Sequence, residues 1–263
     1  MVPTTADPPA RRYVVTGAGS GIGRATRQLL QDAGHRVIGV DLRDADVLAD
    51  LATPAGRQAM LDGVRGAVDA LEGVLACAGV RGHGSEPLQI VRVNYFGALA
   101  TLEGLRPLLA AGRAPRAAAI SSIALLREPI PEVMAACLAG DEERALAHSG
   151  SDGHAAYTSS KLALARWARR SAVTDAWAGA GIALNIVAPG IIDTPMADYL
   201  VGTPELRART VTETRQPLGQ VGAPAHVAAL LAWLTSAENG FVTGQVIFAD
   251  GGFEALTRGG EWP

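Results

Sequence analysis

Apolar positions along the chain follow two rhythms that take turns. Short runs of β-branched and small apolar residues occupy 13–16, 36–41, 47–51, 73–79, 117–121, 182–188 and 245–249. Between them, apolar residues recur every three or four positions, as at Ala25, Leu29 and Leu30, or at Leu88, Val91, Tyr95, Leu99 and Leu102. The first rhythm predicts strands buried on both faces, and the second predicts amphipathic helices. Helices are expected over 24–33, 54–71, 87–109, 154–178 and 224–235, with Gly34 ending the first and Pro54 opening the second. Strands alternating with helices imply right-handed crossovers. The expected fold is therefore α/β, a doubly wound Rossmann-type parallel sheet of about seven strands covered on both faces.

One stretch breaks the rhythm. Residues 123–155 are too many for a βα connection, which commonly takes about two to six. Within them Pro131 opens an apolar stripe through Val133, Met134 and Leu138, and Asp141 can cap a second short helix through Leu146. A helical insertion is expected there, with Met134 and Cys137 available to pack it onto the body.

Composition narrows the setting. At 263 residues and 48% hydrophobic content the chain can bury one substantial core, so a single domain over 13–263 is expected. Residues 1–12, rich in Pro, Thr and Ala, lack an apolar run of signal-peptide length and read as a disordered leader. No run approaches the roughly eighteen apolar residues of a membrane span, so a cytoplasmic protein with no membrane partner is expected. A net charge of −3 gives no footprint for nucleic acid. Cys77 and Cys137 stand in apolar surroundings without paired spacing, which predicts a reducing compartment and no disulfide. The five histidines are scattered without ligand spacing, and no metal site is expected.

The charge inventory singles out one residue. Of 23 Lys and Arg residues all but one are arginines; the lysine is Lys161, four positions after Tyr157 on an expected helix, so both side chains share a face. Alone, such a pair is as readily a packed tyrosine beside a solvated lysine. A second motif stands near the start. Gly17, Gly21 and Gly23 follow the first strand and lead into the first helix. Glycines let the backbone approach a pyrophosphate, whose charge the free N–H groups at a helix N-terminus stabilise. Asp41 ends the second strand about twenty residues on, where its carboxylate can accept hydrogen bonds from ribose hydroxyls and would repel a 2′-phosphate. NAD is the expected cofactor, with Arg24 and Arg43 as nearby cations that soften the preference.

In order and position, the segment 16–23, Asn94, the Ser121-Ser122 pair, Tyr157-x-x-x-Lys161 and Pro189-Gly190 resemble the short-chain dehydrogenase/reductase family, over residues 12–253. The resemblance implies that Tyr157 is the general acid/base and that Lys161 favours its phenolate and holds the nicotinamide ribose. It implies that Ser122 hydrogen-bonds the substrate oxygen and that Asn94 sustains a water-linked proton relay to the lysine. It places cofactor contacts at Gly17, Ser20, Gly21, Ile22 and Gly23, at Asp41 and Leu42, and at Asp50 and Leu51 beside the adenine. Further contacts are implied at Ala78 and Gly79, and at Pro189, Gly190, Ile192 and Thr194 around the nicotinamide. Met196, Tyr199, Leu200 and Val201 begin the segment that lids the substrate pocket in such proteins, and their apolar character suggests a hydrophobic substrate.

Two departures matter. The turn after the fourth strand is Ala76-Cys77-Ala78-Gly79 instead of the family's asparagine-rich turn, so only its Ala-Gly end supports cofactor contact. Ser122 and Tyr157 stand thirty-five positions apart, far more than in most of the family. Together with segments 33–45 and 93–98, that insertion makes the chain most similar to the bacterial 3α-hydroxysteroid dehydrogenase/carbonyl reductase branch. The implied activity is NAD(H)-dependent interconversion of a secondary alcohol and a ketone on a hydrophobic cyclic or steroid-like compound. The alternatives are the same chemistry on a non-steroid alcohol, diol or small carbonyl compound, and a catalytically idle dinucleotide sensor or scaffold. Members commonly assemble through two long helices, so a homo-oligomer is expected, a dimer before a tetramer.

Overall fold

The computed structural model describes residues 10–260. Seven strands, β1 (Arg12–Thr16), β2 (Arg36–Asp41), β3 (Val47–Leu48), β4 (Gly73–Ala76), β5 (Arg116–Ile120), β6 (Ala183–Pro189) and β7 (Val246–Ala249), form one parallel sheet in the order β3-β2-β1-β4-β5-β6-β7. The order reverses between β1 and β4, which pair with Val14 opposite Val74 and Thr16 opposite Ala76. At such a reversal the flanking crossovers leave on opposite faces, and a crevice remains beyond the carboxyl ends of the strands.

The helices are α1 (Gly21–Asp32), α2 (Pro54–Ala67), α3 (Pro87–Val91), α4 (Ala98–Ala110), α5 (Pro131–Ala139), α6 (Glu142–Ala147), α7 (Gly153–Ser171), α8 (Asp198–Val201), α9 (Pro204–Thr214), α10 (Pro224–Thr235) and α11 (Phe253–Arg258). Alternate strand residues feed two cores, as the pleat requires. Tyr13, Val15 and Leu75 pack with Leu30 of α1 and Leu231 of α10 on one face. Val14, Val74 and Ala117 pack with Leu102 of α4 and Leu164 of α7 on the other. No helix among the described residues is long and apolar enough to cross a membrane.

The insertion folds as two helices laid on that second face. Pro131 starts α5, whose Val133, Ala136 and Cys137 are fully buried while Met134 packs partly buried against the same core. Asp141 caps α6 by accepting from the Arg144 amide at 3.0 Å. α5 packs on α7, and the Ile130 amide donates to Ser159 Oγ at 2.7 Å. Arg57 of α2 grips Glu142 with both terminal guanidinium nitrogens, at 2.8 and 2.6 Å.

Several boundaries differ from the hydrophobic pattern for local reasons. The expected leader to residue 12 lies outside the described residues as far as residue 9, but Arg11 and Arg12 belong to the fold. Arg11 is buried and donates to the carbonyls of Glu72, Ala114 and Thr235, and Arg12 begins β1 against Glu72. The helix expected over 87–109 is α3, a π-helical turn at Arg92–Gly97, and α4 in succession. The segment expected as helix to residue 178 stops at Ser171, where Thr174 Oγ1 bonds the Ser171 carbonyl and the chain turns Trp177 into the core. Likewise β3 ends at Leu48, because the Asp50 carboxylate takes the Ala52 amide at 2.9 Å and starts a turn into α2.

Candidate active site

The crevice at the strand reversal opens into a cavity of about 720 Å³. Every position expected to touch a cofactor lines it, from Gly17, Ser20, Gly21, Ile22 and Gly23 through Asp41, Leu42, Asp50 and Leu51, Ala78 and Gly79, to Pro189, Gly190, Ile192 and Thr194. Ser122, Tyr157 and Lys161 line its other end. Asn94 does not line it.

At the first end the backbone sets the shape. Gly17 follows β1 with φ +70°, and a Cβ there would lie 2.8 Å from the Ala78 amide nitrogen on the turn after β4. Only glycine fits both the conformation and the approach. The Ala78 amide donates to Thr16 Oγ1 at 3.2 Å, which ties the two strand ends together. Ser20 caps α1 by position but makes no side-chain capping bond, and the first turn of α1 carries no acid. The amides at this N-terminus therefore face the cavity without a built-in negative partner, the arrangement that suits a pyrophosphate. Asp41 is held by two amides, Gly19 at 2.9 Å and Leu42 at 2.7 Å, which fixes its carboxylate at the lip. The loop after β6 closes the trough from above, with Thr194 Cγ2 3.2 Å from where a Gly21 Cβ would stand. These residues fit a dinucleotide.

At the second end side chains do the shaping. Ser121 is the bland member of its pair, with its hydroxyl spent on the Lys161 carbonyl at 3.0 Å. Ser122 caps the short 3₁₀ turn Ile123–Leu126 by accepting the Ala124 amide at 3.1 Å, which leaves its own proton free to donate. Tyr157 is half-buried. Burial pushes its phenol above the ordinary 10, while a hydrogen bond with Ser122 pulls the other way. Lys161 is buried and donates to the Ile120 carbonyl at 2.8 Å, with Nζ 5.9 Å from the Tyr157 ring centre. Burial lowers its pKa to about 8. Lys161 spends one of its three ammonium protons on the Ile120 carbonyl, and burial is the largest influence on the Tyr157 phenol.

Asn94 acts one step back. It sits fully buried in the π-helical turn, where its Oδ1 accepts the Val80 amide at 2.7 Å and its Nδ2 donates to the Val80 carbonyl at 2.9 Å. A Cβ on Gly79 would lie 3.2 Å from Asn94 Oδ1 and 3.5 Å from Lys161 Nζ, so a side chain there would crowd both groups. Sequence reasoning did not find Arg81, Arg127 and His154, which also line the cavity. Arg81 and Arg127 stand on loops whose direction no periodicity reports, and His154 lies in the first turn of α7. The nearest signal was their position just after Gly79, just after Ser122 and just before Tyr157.

Residues 17–254 match a family model described as enoyl-(acyl carrier protein) reductase. The 3-alpha-hydroxysteroid dehydrogenase/carbonyl reductase of Comamonas testosteroni is 37% identical over 253 residues, 93% of this chain and 97% of that protein. The chain belongs to the short-chain dehydrogenase/reductase family. It is an oxidoreductase of that family and shares its seven-stranded Rossmann-like sheet. Another family member, the cis-4-hydroxycyclohexanecarboxylate dehydrogenase of Sinomonas cyclohexanicum, is 32% identical over 94% of this chain and 97% of its own length. Among solved structures, the 3-alpha-hydroxysteroid dehydrogenase from Pseudomonas sp. B-0831 complexed with NADH superposes with a TM-score of 0.87 at 39% identity, covering 95% of this chain and all of that one.

Proposed function

We infer that the protein is an NAD(H)-dependent dehydrogenase/reductase that interconverts a secondary alcohol and a ketone on a hydrophobic cyclic or steroid-like compound. The observation that carries this is the meeting, in one cavity, of an uncapped helix N-terminus and Asp41 with Ser122, Tyr157 and Lys161. Gly17, Gly21 and Gly23 hold the pyrophosphate, Asp41 and Leu42 the adenosine ribose, Asp50 and Leu51 the adenine, and Ala78, Gly79, Pro189, Gly190, Ile192 and Thr194 the nicotinamide half. When bound, the nicotinamide supplies hydride exchange at the substrate carbon.

The chain's own residues handle the proton. On oxidation the Tyr157 oxygen takes the proton of the alcohol, and on reduction it returns one to the carbonyl oxygen. Ser122, whose hydroxyl also meets Tyr157, donates its proton to that same substrate oxygen. Lys161 holds the nicotinamide ribose and favours the Tyr157 phenolate, and Asn94, fixed on the Val80 backbone, sustains a water-linked proton relay to the lysine. Asp41 favours NAD over NADP because a fixed carboxylate repels a 2′-phosphate. The relatives named for hydroxysteroids and for a hydroxycyclohexanecarboxylate support a ring-bearing substrate. The protein acts in the cytoplasm as a homo-oligomer, a dimer before a tetramer. Light scattering that found a monomer at micromolar concentration would contradict the assembly.

A screen reading NADH and NADPH absorbance across 3-oxosteroids, cyclic terpenoid ketones and small open-chain ketones tests the assignment. Cyclic ketones should be reduced with kcat/KM at least about tenfold above open-chain ones, and NADH preferred to NADPH by a similar factor. A preference for open-chain carbonyls would favour the small-substrate reading, and an NADPH preference would remove the role of Asp41. Tight NADH binding without turnover on any member would leave a sensor.

A further inference from the structure

The cavity is unevenly charged. Its two lining carboxylates, Asp41 and Asp50, both stand at the end formed by β2 and β3. Its other end is lined by Arg81, Arg127 and Lys161. Lys161 is buried and donates to the Ile120 carbonyl, whereas Arg81 and Arg127 reach further into solvent. Among the described residues, Arg81 and Arg127 take no part in the ion pairs that engage Arg12, Arg27, Arg57, Arg106, Arg207, Arg209 and Arg258.

Arg81 is nevertheless held in place. Its guanidinium lies 5.6 Å from the centre of the Tyr199 ring, and Tyr199 stacks on His83 at 4.4 Å with the rings inclined by 15°. Tyr199 belongs to α8, the apolar lid segment, and is close enough to Tyr157 to act on its titration. The backbone beside Arg81 touches the reacting end too, since a Cβ on Gly82 would stand 3.1 Å from the Tyr157 Cβ. Arg127 follows the 3₁₀ turn capped by Ser122, with its amide bonded to the Ala124 carbonyl at 3.0 Å. Two arginines outside those ion pairs, the half-buried Arg81 and the exposed Arg127, thus line the substrate end of the chamber, where Met196, Leu200 and Leu126 supply apolar surface. A guanidinium suits a carboxylate because its planar fork can donate two parallel hydrogen bonds.

We propose that Arg81, assisted by Arg127, recognises an anionic group on the substrate, and that the preferred substrates are cyclic hydroxy or keto compounds bearing a carboxylate away from the reacting carbon. This rests on the reading that Ser122 and Tyr157 hold the reacting oxygen. The ring fills the apolar chamber and the carboxylate reaches the arginine edge.

Matched pairs test it: 4-oxocyclohexanecarboxylate with its ethyl ester, and a 3-oxosteroid carrying a side-chain carboxylate with its methyl ester. The readouts are KM and kcat for NADH oxidation, and binding of each compound to the Tyr157→Phe protein loaded with NADH, followed by NADH fluorescence. The wild type should favour at least one acid over its ester about tenfold or more in KM and in binding. Arg81→Gln should collapse that ratio, Arg81→Lys should keep part of it, and kcat for the acid should move less than KM. Equal affinity for acid and ester in the wild type would overturn the proposal. So would an Arg81→Gln loss shared by acid and ester, which is what a mere packing role against Tyr199 would give. Acid-selective binding without any turnover would uphold the anion site while bringing down the catalytic reading, and ester-tolerant turnover with no acid preference would do the reverse.

Discussion

The two ends of the cavity are built from different materials. At the dinucleotide end the functional groups are backbone amides and absent side chains: Gly17 in a left-handed conformation against Ala78, the open N-terminus of α1, and one carboxylate, Asp41, pinned by two amides. At the end proposed for the substrate the cavity is shaped by side chains on a 3₁₀ turn, a long helix, a loop and a short helix, namely Ser122, Tyr157, Arg81 and Tyr199. The first kind of site tolerates almost no substitution, because its shape is the chain itself. The second can be retuned one residue at a time, which is how a single fold serves many substrates.

Gly17→Val should break that contrast most severely if it is right. A β-branched residue at φ +70° against the Ala78 amide costs about 3 kcal/mol or more, and NADH affinity measured by fluorescence should fall beyond about 100-fold or the protein fail to fold. Met196→Ala, in the lid region at the other end, should change NADH affinity by less than about threefold. Asn94→Ala comes next. It leaves the Val80 amide and carbonyl without their partner and should lower urea-unfolding stability by about 2–3 kcal/mol while also slowing turnover.

Asp41→Ala should raise KM for NAD about 10–30-fold and narrow its advantage over NADP, an effect of roughly 1.5–2 kcal/mol visible in steady-state kinetics. Glu72→Gln is the control, since Glu72 lies just before β4 and meets Arg12 at the start of β1, at the amino ends of the strands, opposite the cavity. Burial alone would raise the Glu72 carboxyl, but its hydrogen bonds and ion pair with Arg12 and the Arg113 amide outweigh it and hold the group at about 2. A carboxyl depressed below its ordinary 4.5 stabilises the fold above that pH and loses the contribution as pH falls toward 2. The variant should therefore be about 1–2 kcal/mol less stable at pH 7, with the gap closing between those limits and NADH affinity unchanged.

The same contrast explains what the sequence made legible. The strands, the glycine loop and Asp41 announce themselves because backbone demands leave few residue choices, and the two helices of the insertion follow from Pro131, Asp141 and an apolar stripe. The π-helical turn around Asn94 stayed hidden, since Val91, Tyr95 and Leu99 keep a helical spacing through it. Lys161 and Tyr157 could be paired from their spacing, but not the Ile120 carbonyl that takes the ammonium nor the burial that raises the phenol, because both depend on how β5 and α7 pack. Arg81 and Arg127 carried no motif, and only the cavity reveals their common address.

The proposed function requires Tyr157 to give and take the proton while the dinucleotide end binds without it. The most direct measurement is Tyr157→Phe in a paired assay, with ketone reduction followed by NADH absorbance and NADH binding by fluorescence. Turnover should fall by about 10³-fold or more while the NADH Kd stays within about threefold of the wild type. Retained turnover would contradict the general acid/base role, and a matching loss of NADH binding would contradict the independence of the two ends.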